Sequence, residues 1–168
     1  MQVYRCVICG DPYIGSEKPS HCPFCGAHQK YLIEAKDWQD RNNVVLSDIS
    51  RSNLEGALRL EVNNSDFYKK AFAVAKDPYF QALFKALSKI EAEHASVIVK
   101  LLKVTPPQPD HVLPALETEK DFLALAHSKE QNAVAFYQKS ADEATEERVK
   151  EVFTALVEIE ADHIKLSQ

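Results

Sequence analysis

The feature that most restricts what this chain can fold into is an internal repeat. Residues 61–98 align without a gap on residues 130–167, 69 positions further on. Thirteen of the 38 positions are identical: Glu61, Asn63, Phe67, Tyr68, Lys70, Ala75, Phe84, Ala86, Leu87, Ile90, Glu91, Ala92 and His94. Chance would supply about two. The shared residues include charged and aromatic ones, so a structural unit was duplicated, not merely a composition.

Each copy reads as a helical hairpin. Residues 47–168 contain one glycine, Gly56, and carry apolar residues at helical spacing. Asp77-Pro78 supplies an N-cap and a first-turn proline in the first copy; Thr145 with Glu146 and Glu147 supplies a cap and first-turn acids in the second. The spacing predicts helices at about 47–76, 78–103, 115–144 and 146–167. Pro106, Pro107, Pro109 and Pro114 interrupt the pattern between the hairpins. Two hairpins joined by a long connection form a four-helix bundle.

Steps of three and four residues trace the inward faces. The first helix presents Leu54, Leu58, Glu61, Ser65, Tyr68, Phe72 and Ala75, and the second Phe84, Leu87, Glu91, His94, Ile98 and Leu101. The third presents Leu123, His127, Glu130, Val134, Tyr137, Ala141 and Ala144, and the fourth Val149, Phe153, Leu156, Glu160 and His163. Each seam is interrupted midway by Glu, or by Glu and His at i, i+3. Glu61 and Glu91 lie 16 and 14 residues either side of Asp77, and Glu130 and Glu160 each lie 15 from Thr145. At 1.5 Å per residue, all four carboxylates stand at one level, about 22 Å from the turns. Four buried carboxylates carry −4, which an apolar core does not tolerate uncompensated. Two divalent cations cancel it, with both histidines neutral and coordinating. Oxygen and imidazole donors suit iron or manganese better than a thiolate-seeking metal. A Glu on each of two helices, with Glu-x-x-His on each of the others, is the ligand pattern of ferritin-like two-metal bundles. Tyr68 and Tyr137, each seven residues after its lone Glu, are either hydrogen-bond donors to this carboxylate shell or plain core. His127, one turn before Glu130, is an extra ligand, a donor to the shell, or a satisfied core histidine. His21, His28 and His111 fall in loop-like sequence and receive no role.

The four cysteines all lie in the first 25 residues, as Cys6-Val7-Ile8-Cys9-Gly10 and Cys22-Pro23-Phe24-Cys25-Gly26. A secreted disulfide scaffold would spread its cysteines over the chain it staples. Two Cys-x-x-Cys-Gly knuckles instead present four thiolates to one tetrahedral metal, zinc or iron. So small a module depends on its metal to fold. The chain therefore divides into a four-cysteine metal domain at 1–35, a polar linker at 36–46 around Trp38, and a two-metal bundle at 47–168. The fold class is mainly α, a ferritin-like four-helix bundle with a small N-terminal metal-knuckle domain.

Charge narrows the partners. Lys and Arg total 20 and Asp and Glu 25, a net charge of −5, without basic clusters. That argues against nucleic acid. No apolar run approaches the roughly 20 residues of a membrane span, and Met1-Gln2-Val3-Tyr4-Arg5 begins no apolar signal region, so a soluble cytoplasmic protein is expected.

Taken together the motifs resemble the rubrerythrins, with the rubredoxin-like domain at the N-terminus. The resemblance rests on Tyr4 to Gly10, His21 to Ala27, Glu61 with Phe67-Tyr68, Glu91-Ala92-Glu93-His94, Glu130 with Phe136-Tyr137, and Glu160-Ala161-Asp162-His163. It implies one iron at Cys6, Cys9, Cys22 and Cys25, and a di-iron pair held by Glu61, Glu91, His94, Glu130, Glu160 and His163. Glu91 and Glu160 would bridge, and Glu61 and Glu130 would be terminal. Zinc or manganese are possible substitutes. It implies a peroxidase that reduces hydrogen peroxide to water with electrons relayed through the thiolate iron from a donor protein or reductase. It also implies a head-to-tail homodimer that brings one subunit's thiolate iron near the other's di-iron site, with 104–114 a candidate place for helix exchange. Many rubrerythrins carry a further Glu three residues after the third helix's ligand; here that position is Ala133. Two other readings stay open: a ferroxidase acting on ferrous iron and oxygen, and a non-enzymatic zinc-ribbon interaction module on a helical bundle.

Overall fold

The structure is a computed structural model and describes residues 1–167; Gln168, the end of the expected 47–168 span, lies outside the described residues. Three short strands, β1 (Gln2–Cys6), β2 (Pro12–Gly15) and β3 (Leu32–Glu34), form an antiparallel sheet in the order β2-β1-β3. β1 pairs Gln2 with Gly15 and Arg5 with Pro12 on one edge, and Tyr4 with Glu34 and Cys6 with Leu32 on the other. Four helices follow: α1 (Asp48–Val74), α2 (Pro78–Leu102), α3 (Glu119–Glu143) and α4 (Glu147–Leu166).

The helix ends follow local chemistry. Ser47 caps α1 by accepting from Ser50 N, and Asp77 caps α2 by accepting from Tyr79 N with Pro78 behind it. α2 ends at Lys103, whose left-handed conformation (φ 57°) closes the helix before the proline-rich connection. α3 starts at Glu119, later than the expected 115, because Thr118 and Asp121 form a reciprocal capping box there. The N-cap of α4 is Glu146 and not Thr145: Thr145 instead donates its hydroxyl to Ser47 Oγ, 3.1 Å away.

The inward faces match expectation on α2 and α4 and drift on the other two helices. Phe72 of α1, expected inside, is 39% exposed, and Ala71 takes the buried position beside it. On α3 the buried stripe is Phe122, Ala126, Glu130, Ala133, Tyr137 and Ala141, whereas Leu123, His127 and Val134 are only half-buried. The observed α3 stripe keeps helical spacing in steps of 4, 4, 3, 4 and 4, with Phe122, Ala126 and Ala133 buried one position before the expected Leu123, His127 and Val134. The core is aromatic at one end, where Phe67, Tyr68, Phe84 and Phe122 pack together. At the other end Leu54, Tyr137, Phe153 and Ile159 are continuous with Ile8, Ala27 and Leu32 of the strand domain, so the two parts share one apolar core. Among the described residues no helix is long and apolar enough to cross a membrane.

Candidate metal centres

The four cysteines are buried and free of disulfides. Cys6 Sγ lies 3.8 Å from Cys25 Sγ, and Cys9 Sγ 3.8 Å from Cys22 Sγ. A tetrahedron with metal–sulfur bonds near 2.3 Å has edges of about 3.8 Å, so the pocket has the dimensions of a four-thiolate site. Gly10 (φ 88°) and Gly26 (φ 77°) turn each knuckle through left-handed backbone that other residues adopt at a cost. Hydrogen bonds from Cys25, then Cys6 and Cys9, hold the Cys22 thiol far below its usual range, while sharing with Cys22 pushes Cys9 and Cys25 far above theirs. Four thiols so placed compete for protons that one cation would replace.

The bundle brings all six expected polar residues together. Glu61 (α1), Glu91 and His94 (α2), Glu130 (α3) and Glu160 (α4) are fully buried, and His163 (α4) is 5% exposed. They form two sets whose donor atoms converge: Glu61, Glu91, His94 and Glu160, and Glu91, Glu130, Glu160 and His163. Glu91 and Glu160 belong to both. His94 Nδ1 faces Glu61 Oε2 at 3.5 Å, Glu91 Oε2 at 3.4 Å and Glu160 Oε1 at 3.3 Å. His163 Nδ1 faces the other oxygen of each shared carboxylate, Glu91 Oε1 at 3.2 Å and Glu160 Oε2 at 2.8 Å. Donors bound at about 2.1 Å to one ion sit near 3 Å from one another in octahedral geometry, close to these separations.

Electrostatics point the same way. Burial, then repulsion by Glu91, pushes Glu61 well above the usual carboxylate range; burial, then repulsion by Glu160 and Glu91, does the same to Glu130. Burial acts on Glu91 too, but the facing imidazoles of His163 and His94 hold it well below. Against burial, the facing carboxylates raise both imidazoles, Glu61 foremost for His94 and Glu160 for His163. Glu61 Oε2, both Glu91 oxygens, Glu130 Oε2, Glu160 Oε1 and His94 Nδ1 have no hydrogen-bond partner. Buried acceptors left unpaired are rare, and here they all point at one another. The donor set therefore fits two divalent cations.

Both tyrosines touch this shell, and each does so across the bundle. Tyr68 of α1 donates to Glu130 Oε1 of α3, and Tyr137 of α3 donates to Glu61 Oε1 of α1. Each tyrosine's own Glu is seven residues away, about 10 Å along the axis. Burial, then the Glu charges, keeps both hydroxyls protonated well above their usual range. His127 stands apart: Nδ1 pairs with Ser167 Oγ at 3.2 Å and Nε2 with Gln131 Nε2 at 3.1 Å. It is not in the metal-ligand sets. His111 contacts Asp66 Oδ2 at 2.8 Å and belongs to neither donor set.

The contacts between the knuckles and the bundle were not foreseen. His94 Nε2 donates to the Cys25 carbonyl at 2.9 Å, linking a residue of the bundle's donor set to one of the four-cysteine set. Both ends belong to one chain. Arg148 donates to the carbonyls of Val7 and Ile8, at 2.8 and 2.9 Å, and Lys100 Nζ to that of Cys9 at 2.8 Å. Glu93 lies against Cys9 and Asp11, and burial, then Asp11, pushes its carboxyl up to about 7. Asp162 meets His21 and His28. The signal was available: an acid precedes the ligand histidine in both copies, in Glu-Ala-Glu-His and Glu-Ala-Asp-His. A cleft of about 410 Å³, lined by His21, Gly26, Ile90, Ile159, Asp162 and His163 among others, reaches the second histidine.

A four-helix bundle around a carboxylate–imidazole cluster, with a small strand domain carrying four close cysteines, defines a ferritin-like metalloprotein. The family model described as Rubrerythrin matches residues 52–167. The chain belongs to the rubrerythrin family, whose members bind iron. It is 30% identical over 113 residues to reverse rubrerythrin-1 of Clostridium acetobutylicum, a match covering 61% of this chain and 62% of that relative. A solved dodecameric thioferritin, the bacterioferritin-related protein of Bacteroides fragilis, shares the fold with a TM-score of 0.63. It is 18% identical, and the match covers 72% of this chain and 84% of the other.

Proposed function

We propose that this chain is a non-haem di-iron peroxidase that reduces hydrogen peroxide to water in oxidative-stress defence, fed with electrons through its four-cysteine module. The balance is H2O2 + 2 H⁺ + 2 e⁻ → 2 H2O, with single electrons delivered by a donor protein or reductase. In this reading residues 1–35 are the relay module, 36–46 the linker and 47–168 the catalytic bundle. Cys6, Cys9, Cys22 and Cys25 hold one iron. Glu61 with His94, and Glu130 with His163, would hold a pair of irons, with Glu91 and Glu160 shared between the two donor sets. When bound, two ferrous ions would supply both electrons to one O–O bond.

The supporting observation is the hydrogen bond between His94 Nε2 and the Cys25 carbonyl. It joins the two donor sets within one chain by Cys25's own covalent bonds, one hydrogen bond and one imidazole ring. The same bond fixes the His94 tautomer, leaving Nδ1 as the face toward the carboxylates. Tyr68 and Tyr137 orient the terminal carboxylates by donating to them, and the packed aromatic end of the bundle keeps bulk water from the cluster. The cleft at His163 is the approach for peroxide. A soluble homo-oligomer completes the reading; the dodecameric fold neighbour supports assembly without fixing the number of subunits here.

One observation favours a second reading. Ala133 is fully buried where many relatives are expected to carry a further Glu, so the ligand set is symmetric, with four Glu and two His. Such a set also suits a ferroxidase that uses oxygen to oxidise ferrous iron. Stopped-flow reoxidation of the fully reduced, iron-loaded protein separates the two. Reoxidation much faster by peroxide than by oxygen is the expected result; preference for oxygen with ferric deposition overturns it. Metal analysis with anomalous scattering at both centres decides against a zinc-ribbon module if the thiolate site holds iron and the protein is red.

A further inference from the structure

His21 and His28 flank the second knuckle and face each other across an isolated antiparallel bridge, with ring centroids 4.9 Å apart. The Cys22 N to Ala27 carbonyl bond, 2.7 Å, fixes the loop between them. Both rings converge on a single oxygen of α4: Asp162 Oδ2 lies 2.7 Å from His28 Nε2 and 3.4 Å from His21 Nε2. Two of the remaining atoms of the trio have hydrogen-bond partners, and the third faces a carboxylate at longer range. Asp162 Oδ1 accepts from Lys165 Nζ at 2.6 Å, His21 Nδ1 pairs with Ser20 Oγ at 3.1 Å, and His28 Nδ1 faces Glu158 Oε2 at 3.7 Å. One imidazole with its outer nitrogen hydrogen-bonded, and one carboxylate with its other oxygen neutralised, resemble the outer bonding that orients metal ligands.

We propose that His21, His28 and Asp162 form a third divalent-cation site, separate from the two centres above, on the rim of the cleft that reaches His163. Nitrogen and oxygen donors within 4.8 Å of one another are close enough for one ion after small side-chain adjustments. Two imidazoles and a carboxylate leave open positions for water and select a borderline cation such as ferrous iron or zinc over calcium or magnesium. The site lies partly in solvent, with the His21 side chain 49% exposed, so it exchanges its ion more readily than the buried pair. It does not depend on which reaction the bundle performs.

The test uses full-length protein whose thiolate and bundle sites have been filled beforehand. Cobalt(II) is titrated calorimetrically, and crystals soaked in cobalt are measured at its absorption edge. One further cobalt per chain is expected, with an anomalous peak among His21, His28 and Asp162. His21→Ala should weaken it about ten- to hundredfold while leaving the thiolate chromophore and the bundle metal content unchanged. His28→Ala should do the same, but it also removes a contact between knuckle and helix, so His21→Ala is the deciding variant. Absence of the further equivalent, a peak elsewhere, or undiminished binding in His21→Ala would overturn the site.

Discussion

The two helical hairpins carry the same ligands at the same repeat positions, yet their outer faces meet different surroundings. His94 is fully buried, and its outer nitrogen donates to the Cys25 carbonyl. His163, 69 residues on, is 5% exposed and lines a cleft. Glu93 presses on the first knuckle beside Cys9 and Asp11, while Asp162 meets the second through His21 and His28. Duplication thus made the inner cluster symmetric, and docking of the strand domain made its exterior asymmetric. The inner donor set is symmetric enough to suit two like cations, and in the proposed function the asymmetric exterior would let electrons arrive on one side and substrate on the other.

The sharpest way to break this comparison is to delete a shared carboxylate. Glu91 and Glu160 each present one oxygen to each of the two histidines. Glu91→Ala and Glu160→Ala should therefore be equivalent, each lowering peroxide turnover to below about 1% of wild type with the thiolate absorption intact. Wild-type turnover in either variant would exclude the cluster as catalyst. The tyrosines test the symmetry one layer out. Tyr68→Phe and Tyr137→Phe should each reduce bundle metal affinity or turnover about ten- to hundredfold, by similar factors, because each removes one donor to a terminal carboxylate. A large effect from only one of them would show that the two half-sites are chemically distinct.

The knuckle glycines probe the asymmetry. An alanine Cβ at Gly10 would lie 3.5 Å from Trp38 Cζ2, an ordinary contact, whereas at Gly26 it would lie 3.1 Å from Ile159 Cγ2, against α4. Both variants pay left-handed backbone strain of about 1–2 kcal/mol. Only Gly26→Ala should also push the second knuckle off the bundle and slow electron arrival there. Thermal unfolding and single-turnover reoxidation of the two variants, side by side, measure this; equal rates in both would remove the second knuckle as the point of contact.

Most of the inner site was legible because its signal is periodic. Glu at one level of four helices, and His at i+3, stand out against apolar seams, and the repeat doubles every observation. The cysteine knuckles were legible for the same reason, as short local motifs with fixed spacing. The half-buried positions of Leu123, His127 and Val134 were not, because each has an apolar neighbour one position earlier, Phe122, Ala126 and Ala133, and spacing alone does not choose between them. Nor was the docking of the knuckles. Arg148 reaching the Val7 carbonyl, and His94 reaching that of Cys25, are side chain to backbone contacts across 141 and 69 residues. Backbone carbonyls carry no identity in a sequence, so only the acid before each ligand histidine hinted that this surface faces something.

The mildest test concerns the turns, where the repeat again diverges. Asp77 and Glu146 occupy the same repeat position. Asp77, the shorter, caps its own helix at Tyr79 N, 2.8 Å away. Glu146 reaches across the hairpins to Ser47 N at 2.5 Å and to the Ser50 hydroxyl, tying the start of α4 to the start of α1. Burial opposes its charge, yet these donors hold its carboxyl down at about 2. Its contribution is therefore present above the ordinary carboxylate value near 4.5 and fades as pH falls from there through about 2. Glu146→Ala should lower unfolding free energy by about 1–2 kcal/mol at neutral pH and flatten the acid limb of the stability curve. Asp77→Ala, losing only a local cap, should cost about 1 kcal/mol. Glu146→Asp, too short to span the hairpins, should behave like the alanine variant in denaturant titrations; full stability in it would show that the local cap, not the cross-hairpin tie, is what that position supplies.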